Sequence, residues 1–259
     1  MLCTACLEKS AQPDERADEL YFQLASTDRR RILSELQKEN LKLNVMSRKL
    51  GMTATETLRQ LQRLSDSVLI QKQPDGTYII TNYGKLILEL SPALDFALKY
   101  KEYFLEHDYA RLPSSFIRRL GELSKATLKT ELAENVNRLE EMIRKSEDFV
   151  WSMTDQSMAV HSNAMAERIQ KGVRFRSLIH KRLIGSPELH NYSGKNVERR
   201  VLPDIPGIVV LSEKEAFVSL YKLDGQIGYS AFFGSDPTFL RWAGELFMNE
   251  WEKAKPWYP

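Results

Sequence analysis

Between Leu43 and Thr81 the spacing of apolar positions changes twice within forty residues, and each change predicts an element. Val45 to Leu50 reads as a short helix that Asn44 can cap and that Gly51 ends, where the chain needs a left-handed conformation. Leu58, Leu61 and Leu64 then recur at helical spacing behind Thr53-x-x-Glu56, the spacing of a capping box. Ala54 near the same face lets helices approach closely. The opposite side carries Thr53, Glu56, Arg59, Gln60 and Arg63, with Thr55 at its edge. The runs Val68 to Gln73 and Thr77 to Ile80 are β-prone and are separated by Pro74-Asp75-Gly76, a hairpin signal. Upstream, Glu15 to Ser26 predicts a helix offering Leu20, Phe22 and Leu24. Thr27-Asp28 is placed to cap a further helix, Arg29 to Glu39, striped by Ile32, Leu33 and Leu36. Three helices followed by a hairpin predict a winged helix-turn-helix. Its capping box turns Glu56 back onto its own backbone, leaving Thr53, Thr55, Arg59, Gln60 and Arg63 to bond base edges or phosphates, with Lys72 on the wing.

Beyond the wing the period shifts again. Thr81 to Leu90 reads as a helix stopped by Pro92. Ala93 to Glu106 reads as an aromatic-rich helix whose Leu94, Phe96, Tyr100, Tyr103 and Phe104 form a face broad for a linker. Such a face can pack against a symmetry mate, making this a dimer element, or against its own chain. Leu128 to Lys145 is striped by Leu132, Val136, Leu139 and Ile143. A strand follows at Asp148 to Met153, then a helix from Met158 to Lys171 closed by Gly172, then a strictly alternating strand from Val173. Strands are expected at Gly207 to Leu211, Ala216 to Tyr221 and Gln226 to Phe233, and Asp236-Pro237 starts a last helix. The fold class expected is an α+β N-terminal winged helix-turn-helix followed by an α/β effector domain. The divisions are a flexible leader over 1–14, the winged helix over 15–91, a helical linker or dimerisation segment over 92–127 and the α/β domain over 128–259.

Charge sharpens this picture. The chain as a whole is nearly neutral at +2, but Asp28 to Thr81 holds ten Lys/Arg against six Asp/Glu, which suits nucleic acid. Glu167 to Arg200 is more basic, nine against three, while Val201 to Pro259 is acidic, five against eight. Arg29, Arg30 and Arg31 oppose the dipole at their helix start and suggest phosphate contact or a solvated face. No apolar run is long enough for a membrane span and no secretory signal is present, so the expected location is cytoplasmic. The two cysteines, Cys3 and Cys6, fall short of a structural zinc site alone. They suit a metal shared between subunits, a redox switch or an unremarkable tail.

The stretch Glu106-His-Asp-Tyr-Ala-Arg-Leu-Pro-Ser-Ser-Phe-Ile-Arg-Arg-Leu-Gly-Glu-Leu, behind a wing that runs into Tyr78-Ile-Ile-Thr-Asn-Tyr-Gly, resembles archaeal FilR-type winged-helix regulators. The similarity continues through Glu147-Asp-Phe-Val-Trp-Ser-Met-Thr-Asp-Gln, Ala166-Glu-Arg-Ile-Gln-Lys-Gly-Val-Arg-Phe-Arg and Phe247-Met-Asn-Glu-Trp-Glu-Lys-Ala. It implies an archaeal source and a role in transcription. The order of the second domain also resembles one half of a phospholipase-D-like fold, as in the effector domains of TrmB-type sugar regulators.

Phospholipase-D chemistry uses a His-x-Lys motif, whereas His180 and Lys181 are adjacent here and would point to opposite faces of a strand. No catalysis is therefore expected; no cofactor is expected either, and Cys3 and Cys6 are the weak candidates for a metal. His107, His161 and His190 are isolated, as packing or polar residues would be. Arg174 and Arg176 share a strand face and are costly to bury without an anion. They suggest a pocket for a small anionic effector roofed by Trp151 and Tyr229; an exposed edge paired with acids of the C-terminal part explains them as well. The function expected is a homodimeric regulator that binds double-stranded DNA and senses an effector or partner through its second domain. The alternatives are a protein-interaction module on the same scaffold and a degenerate phosphodiesterase.

Overall fold

The computed structural model describes residues 13–185 and 194–258. Cys3, Cys6 and His190 lie outside the described residues. The chain forms two compact units, Met1–Ser91 and Pro92–Pro259.

The first unit contains α1 (Pro13–Ala25), α2 (Thr27–Lys38), β1 (Leu41–Lys42), α3 (Leu43–Leu50), α4 (Ala54–Asp66), β2 (Ile70–Lys72), β3 (Thr77–Ile80) and α5 (Asn82–Leu90). The strands form an antiparallel sheet in the order β1-β3-β2. Ile32, Leu33, Met46, Leu61, Leu64 and Leu69 are fully enclosed between helices and sheet. Local chemistry sets most boundaries. Gly51 ends α3 at φ 66°, and Thr53 Oγ1 caps α4 by accepting from Glu56 N at 3.2 Å. Asp75 Oδ1 accepts from Thr77 N at 3.0 Å and so shapes the hairpin tip. Gly84, in the first turn of α5, lies so close to the segment before β2 that an added Cβ would stand 2.2 Å from the Leu69 carbonyl oxygen.

Three capping expectations need correction. α2 is capped by Ser26, whose Oγ accepts from Arg29 N, so Thr27 and Asp28 already belong to the helix. α3 starts at Leu43, which puts Asn44 inside it, where its carbonyl accepts from Ser47 Oγ and Arg48 Nε. Glu56 does not fold back onto its own backbone; its carboxylate accepts from Arg59 at 3.3 Å, the nearer counter-charge on the exposed side.

The second unit contains α6 (Pro92–Lys99), α7 (Lys101–Glu106), α8 (Ser114–Ile117), β4 (Thr127–Lys129), α9 (Leu132–Lys145), β5 (Phe149–Thr154), α10 (Ser162–Gln170), β6 (Arg174–His180), β7 (Val197–Leu202), β8 (Ile208–Ser212), β9 (Ala216–Ser219), β10 (Ala231–Gly234), α11 (Pro237–Trp251) and β11 (Lys255–Pro256). Its sheet runs β11-β7-β6-β5-β8-β9-β10-β4, parallel across β5-β6-β7 and antiparallel elsewhere. One face packs on α11 and the α6–α8 segment through Trp242, Phe239, Phe247 and Phe116. The other packs on α9 and α10 through Ile143, Met165, Val150 and Phe175. Strands β8 and β9 are buried along their whole length, as expected of strands covered on both faces.

The segment 92–127 is therefore part of this unit and not a separate linker. Its expected single helix is broken at Tyr100, and its aromatic face turns inward: Phe96 and Tyr103 pack on Phe232, with ring centroids 5.2 and 4.8 Å apart. Tyr103 Oη also accepts from Leu220 N at 2.9 Å. Aromatic surface used in this way cannot serve a symmetry mate.

Candidate nucleic-acid interface

Helix α4 presents two sides of opposite character. Thr57, Gln60, Leu61 and Leu64 are buried. At about 100° per residue, Thr55, Leu58, Arg59, Gln62 and Arg63 share the outward side, and all five are exposed, with Thr53 exposed at the helix start. The core-facing stripe is thus rotated from the one its leucines suggest. Thr57 enters the core because its hydroxyl donates to the Thr53 carbonyl at 2.9 Å, leaving no unpaired polar group. Leu58, expected inside, is 48% exposed at the edge of the outward face beside the buried Leu61.

Gln60 is the one predicted contact residue that the structure removes from this face. It is 5% exposed, and its Oε1 accepts from Arg29 Nη1 at 3.1 Å. The remaining guanidinium bonds go to carbonyl oxygens at the C-terminal end of α1: Nε to Gln23 at 3.0 Å and Nη2 to Phe22 at 2.5 Å. All of these acceptors are neutral. Burial above all, and then the charge of Arg63, pull the Arg29 pKa below its ordinary value. Arg29 and Arg63 lie 4.9 and 5.9 Å from the Phe22 ring centre. Of the arginine triplet, Arg29 is thus interior, Arg30 donates to the Leu24 carbonyl, and Arg31 donates to the Leu50 carbonyl at 3.0 Å and pairs with Asp28 at 3.4 Å. The oxygens of the helix ends answer these cations where phosphate contact was one expectation.

The wing supplies Lys72, exposed, with Nζ 5.9 Å from the Tyr78 ring centre. It borders a shallow cavity of about 350 Å³ that Gln62 at the far end of α4 also lines. Gln62, which sequence reasoning passed over, donates to Asp66 at 2.8 Å and continues the outward row one turn beyond Arg59. Its polar side chain at a three-residue step from Arg59 was the available signal.

The predicted anion pocket is not assembled. Trp151 and Arg176 are register neighbours on β5 and β6, and both point toward α11. There Trp151 stacks on Phe247 at 5.2 Å, and Arg176 lies 5.5 and 5.4 Å from the Trp151 and Trp251 ring centres. Its charge is met by Glu198 at 3.4 Å, and Arg174 pairs with Asp148 at 2.6 Å. Tyr229 borders a different cleft on the other face of the sheet. The basic edge is thus paired with acids, though with Asp148 and Glu198 and not with those of the C-terminal part.

His180 is the last residue of β6, and Lys181 lies in the turn that follows, so the two are not neighbours on a strand. His180 Nδ1 accepts from Arg182 N at 3.1 Å, and Arg182 pairs with Asp155 at 2.6 Å. His107 stacks on Tyr103 at 3.8 Å, with Nδ1 2.7 Å from the Tyr103 carbonyl oxygen. Among the described residues no group of three or more His, Cys, Asp and Glu is arranged to hold a metal. No described helix is long and apolar enough to cross a membrane.

No protein-family model and no curated protein sequence matches the chain. Among solved structures it is similar to TrmBL2, described as an archaeal chromatin protein with a novel mode of DNA binding, at 15% identity and a TM-score of 0.44 over 93% of this chain and 99% of that one. NucT from Helicobacter pylori matches 51% of this chain and 99% of its own at 12% identity and a TM-score of 0.44. Nuc from Salmonella typhimurium, a phospholipase D family member, matches 52% and 100% at 10% identity and a TM-score of 0.39. These are likenesses of fold at a coarse level, and the roles of residues rest on the geometry above.

Proposed function

We propose that the protein is a sequence-specific, double-stranded DNA-binding regulator of transcription that reads the major groove with the outward face of α4. The observation that carries this reading is that face itself: Thr55, Arg59, Gln62 and Arg63 stand exposed on a helix anchored on its opposite side, with Thr53 at its start and Lys72 on the adjoining hairpin. We read the three helices and three-stranded sheet as a winged helix. Helix-turn-helix proteins place the N-terminal residues of such a helix against base edges, and Arg and Gln make the bidentate bonds that discriminate guanine and adenine. Leu58 offers an apolar surface suited to a thymine methyl group.

Dimerisation belongs to the same proposal. It is supported by Tyr83, Leu86 and Leu90, spaced along the exposed side of α5, and no longer by the aromatic residues of α6 and α7. Two such units related by a two-fold would read a pseudo-palindromic site. The second unit acts as the sensor and is not catalytic, a reading supported by His180 at the end of β6 and Lys181 in the turn after it, which form no His-x-Lys pair. Selection of bound duplexes from a random pool tests this reading. An enriched motif with two-fold symmetry is expected; recovery of duplexes without sequence preference would remove the specific part. The half-exposed Leu58 at the edge of the face also favours a second reading, a protein-docking helix, which predicts no DNA retention at any salt concentration.

A further inference from the structure

We propose that the cleft between α9, the turn Met158 to His161 and strands β8 and β9 binds a small, uncharged, mainly apolar molecule that carries a hydrogen-bonding group. Helix α9 is amphipathic along its whole length, but its apolar side chains close on the sheet only in its second half, where Leu139, Met142 and Ile143 are buried; in the first half the buried residue is Asn135. Its first half stands away, leaving Leu132 exposed and Val136 half-buried over Val210 and Phe217. The space between has a volume of about 200 Å³. An aliphatic-lined cavity of about 150 Å³ is enough to hold benzene.

Two features make this a built site and not a packing gap. The first is a pair of polar side chains, Asn135 and His161, each 5% exposed, on the wall of a mainly apolar cleft that Thr154, Gln156 and Ser157 also line. Asn135 donates through Nδ2 to the carbonyl oxygens of Lys129 and Tyr229, which fixes its amide orientation, and its Oδ1 has no partner among the described residues. His161 Nδ1 has none either; Glu140 lies 4.0 Å away, beyond hydrogen-bonding distance. A buried polar atom left unpaired is unfavourable; neither atom is open to the cleft in the structure, and a ligand group that meets one through a small side-chain shift recovers that loss. The second feature is the absence of charge: among the described residues no Lys, Arg, Asp or Glu lines the cleft. Burial lowers the His161 pKa below its ordinary value, outweighing the charge of Glu140. An anion, as the sequence suggested for the second unit, would find no counter-charge here. Apolar walls with a few placed polar groups are the usual make-up of a small-molecule site.

The site stands independently of DNA binding; only its use as the regulator's effector site rests on the proposed function. Indole, neutral and apolar with a single N–H donor, is a suitable probe, with indene as the isostere lacking the donor and benzoate as the charged control. The full chain is titrated with each and followed by amide NMR. Saturable shifts are expected with indole at the Asn135 side chain, Val160 and Gly228. Binding should be about fivefold weaker for indene and absent for benzoate. Val136→Trp fills the cleft and should abolish the shifts; if that variant does not fold, Leu132→Trp at the rim serves the same purpose. Unsaturable or scattered shifts with indole, indole binding that survives both fillings, or benzoate binding as well as indole would overturn the site. Indole binding that leaves DNA affinity unchanged supports the site and overturns only its role as an effector site.

Discussion

Replacing Gln60 by leucine separates the two roles that this residue can have. In the structure Gln60 lies inside the first unit and supplies a side-chain acceptor to the buried Arg29 guanidinium at 3.1 Å. Leucine conserves most of the volume, so the change removes an oxygen more than it opens a cavity. The guanidinium keeps its bonds to Phe22 and Gln23 but loses one, and a buried donor left unpaired costs about 1–3 kcal/mol. Because Arg29 is cationic, the upper half of that range is expected. Gln60→Glu supplies the same acceptor with a negative charge beside a cation whose described acceptors are neutral, and should stay within about 1 kcal/mol of the parent near neutral pH. Urea unfolding followed by circular dichroism, with a transition expected for each unit, reads the midpoint shift. A Gln60→Leu protein of parental stability that prefers a different DNA sequence would refute the interior placement and return Gln60 to the groove.

Four further outcomes are expected. Arg59→Ala should weaken binding to the selected duplex by about 1–3 kcal/mol by fluorescence anisotropy and relax preference at one base position; an equal loss on random DNA would mean that Arg59 touches only phosphate. Val68→Gly should stabilise the first unit by about 1 kcal/mol in urea unfolding, because Val68 holds φ 60° directly after α4, where a β-branched side chain is strained. Gly84→Ala should lower the same midpoint, since the new methyl group meets the Leu69 carbonyl and the start of α5 must shift. Glu122 accepts two bonds from Arg119, at 2.7 and 3.1 Å, and that pairing holds its carboxyl below the ordinary pKa. Stability of the second unit should thus fall as pH drops from the unfolded value of about 4.3 through the lower folded one, and Glu122→Gln should flatten that fall by roughly 0.5–1 kcal/mol.

What was legible in the sequence was whatever a few adjacent residues decide. Gly51, Thr53 and the Asp75-Gly76 pair each set their element alone, and the turn, the cap and the hairpin stand where those residues place them. The phase of α4 was not legible, because three leucines at regular spacing outweighed a threonine that hides its hydroxyl in its own helix. Nor was the burial of Gln60, which answers an arginine 31 positions away. In the second unit, alternation along β5 and β6 correctly paired Arg174 with Arg176 but could not show that Trp151 shares the Arg176 side while Tyr229 stands across the sheet. The strand β7, which carries Glu198 to the side of Arg176, went unpredicted because its Glu-Arg-Arg run reads as a charged surface segment. The break at Tyr100 escaped notice for a related reason: neither Pro nor Gly marks it, and the packing of Phe96 and Tyr103 on Phe232 is a long-range contact.

The central claim, that the outward face of α4 meets DNA, is tested most directly by the salt dependence of binding. The full chain and an Arg59→Ala/Arg63→Ala variant are titrated with the selected duplex at several salt concentrations. Each phosphate neutralised contributes about 0.9 to the slope of log K against log salt. The variant is predicted to bind more weakly, with a slope shallower by about 1–2 and with unchanged thermal stability. Equal affinity and an equal slope in the two proteins would contradict the account.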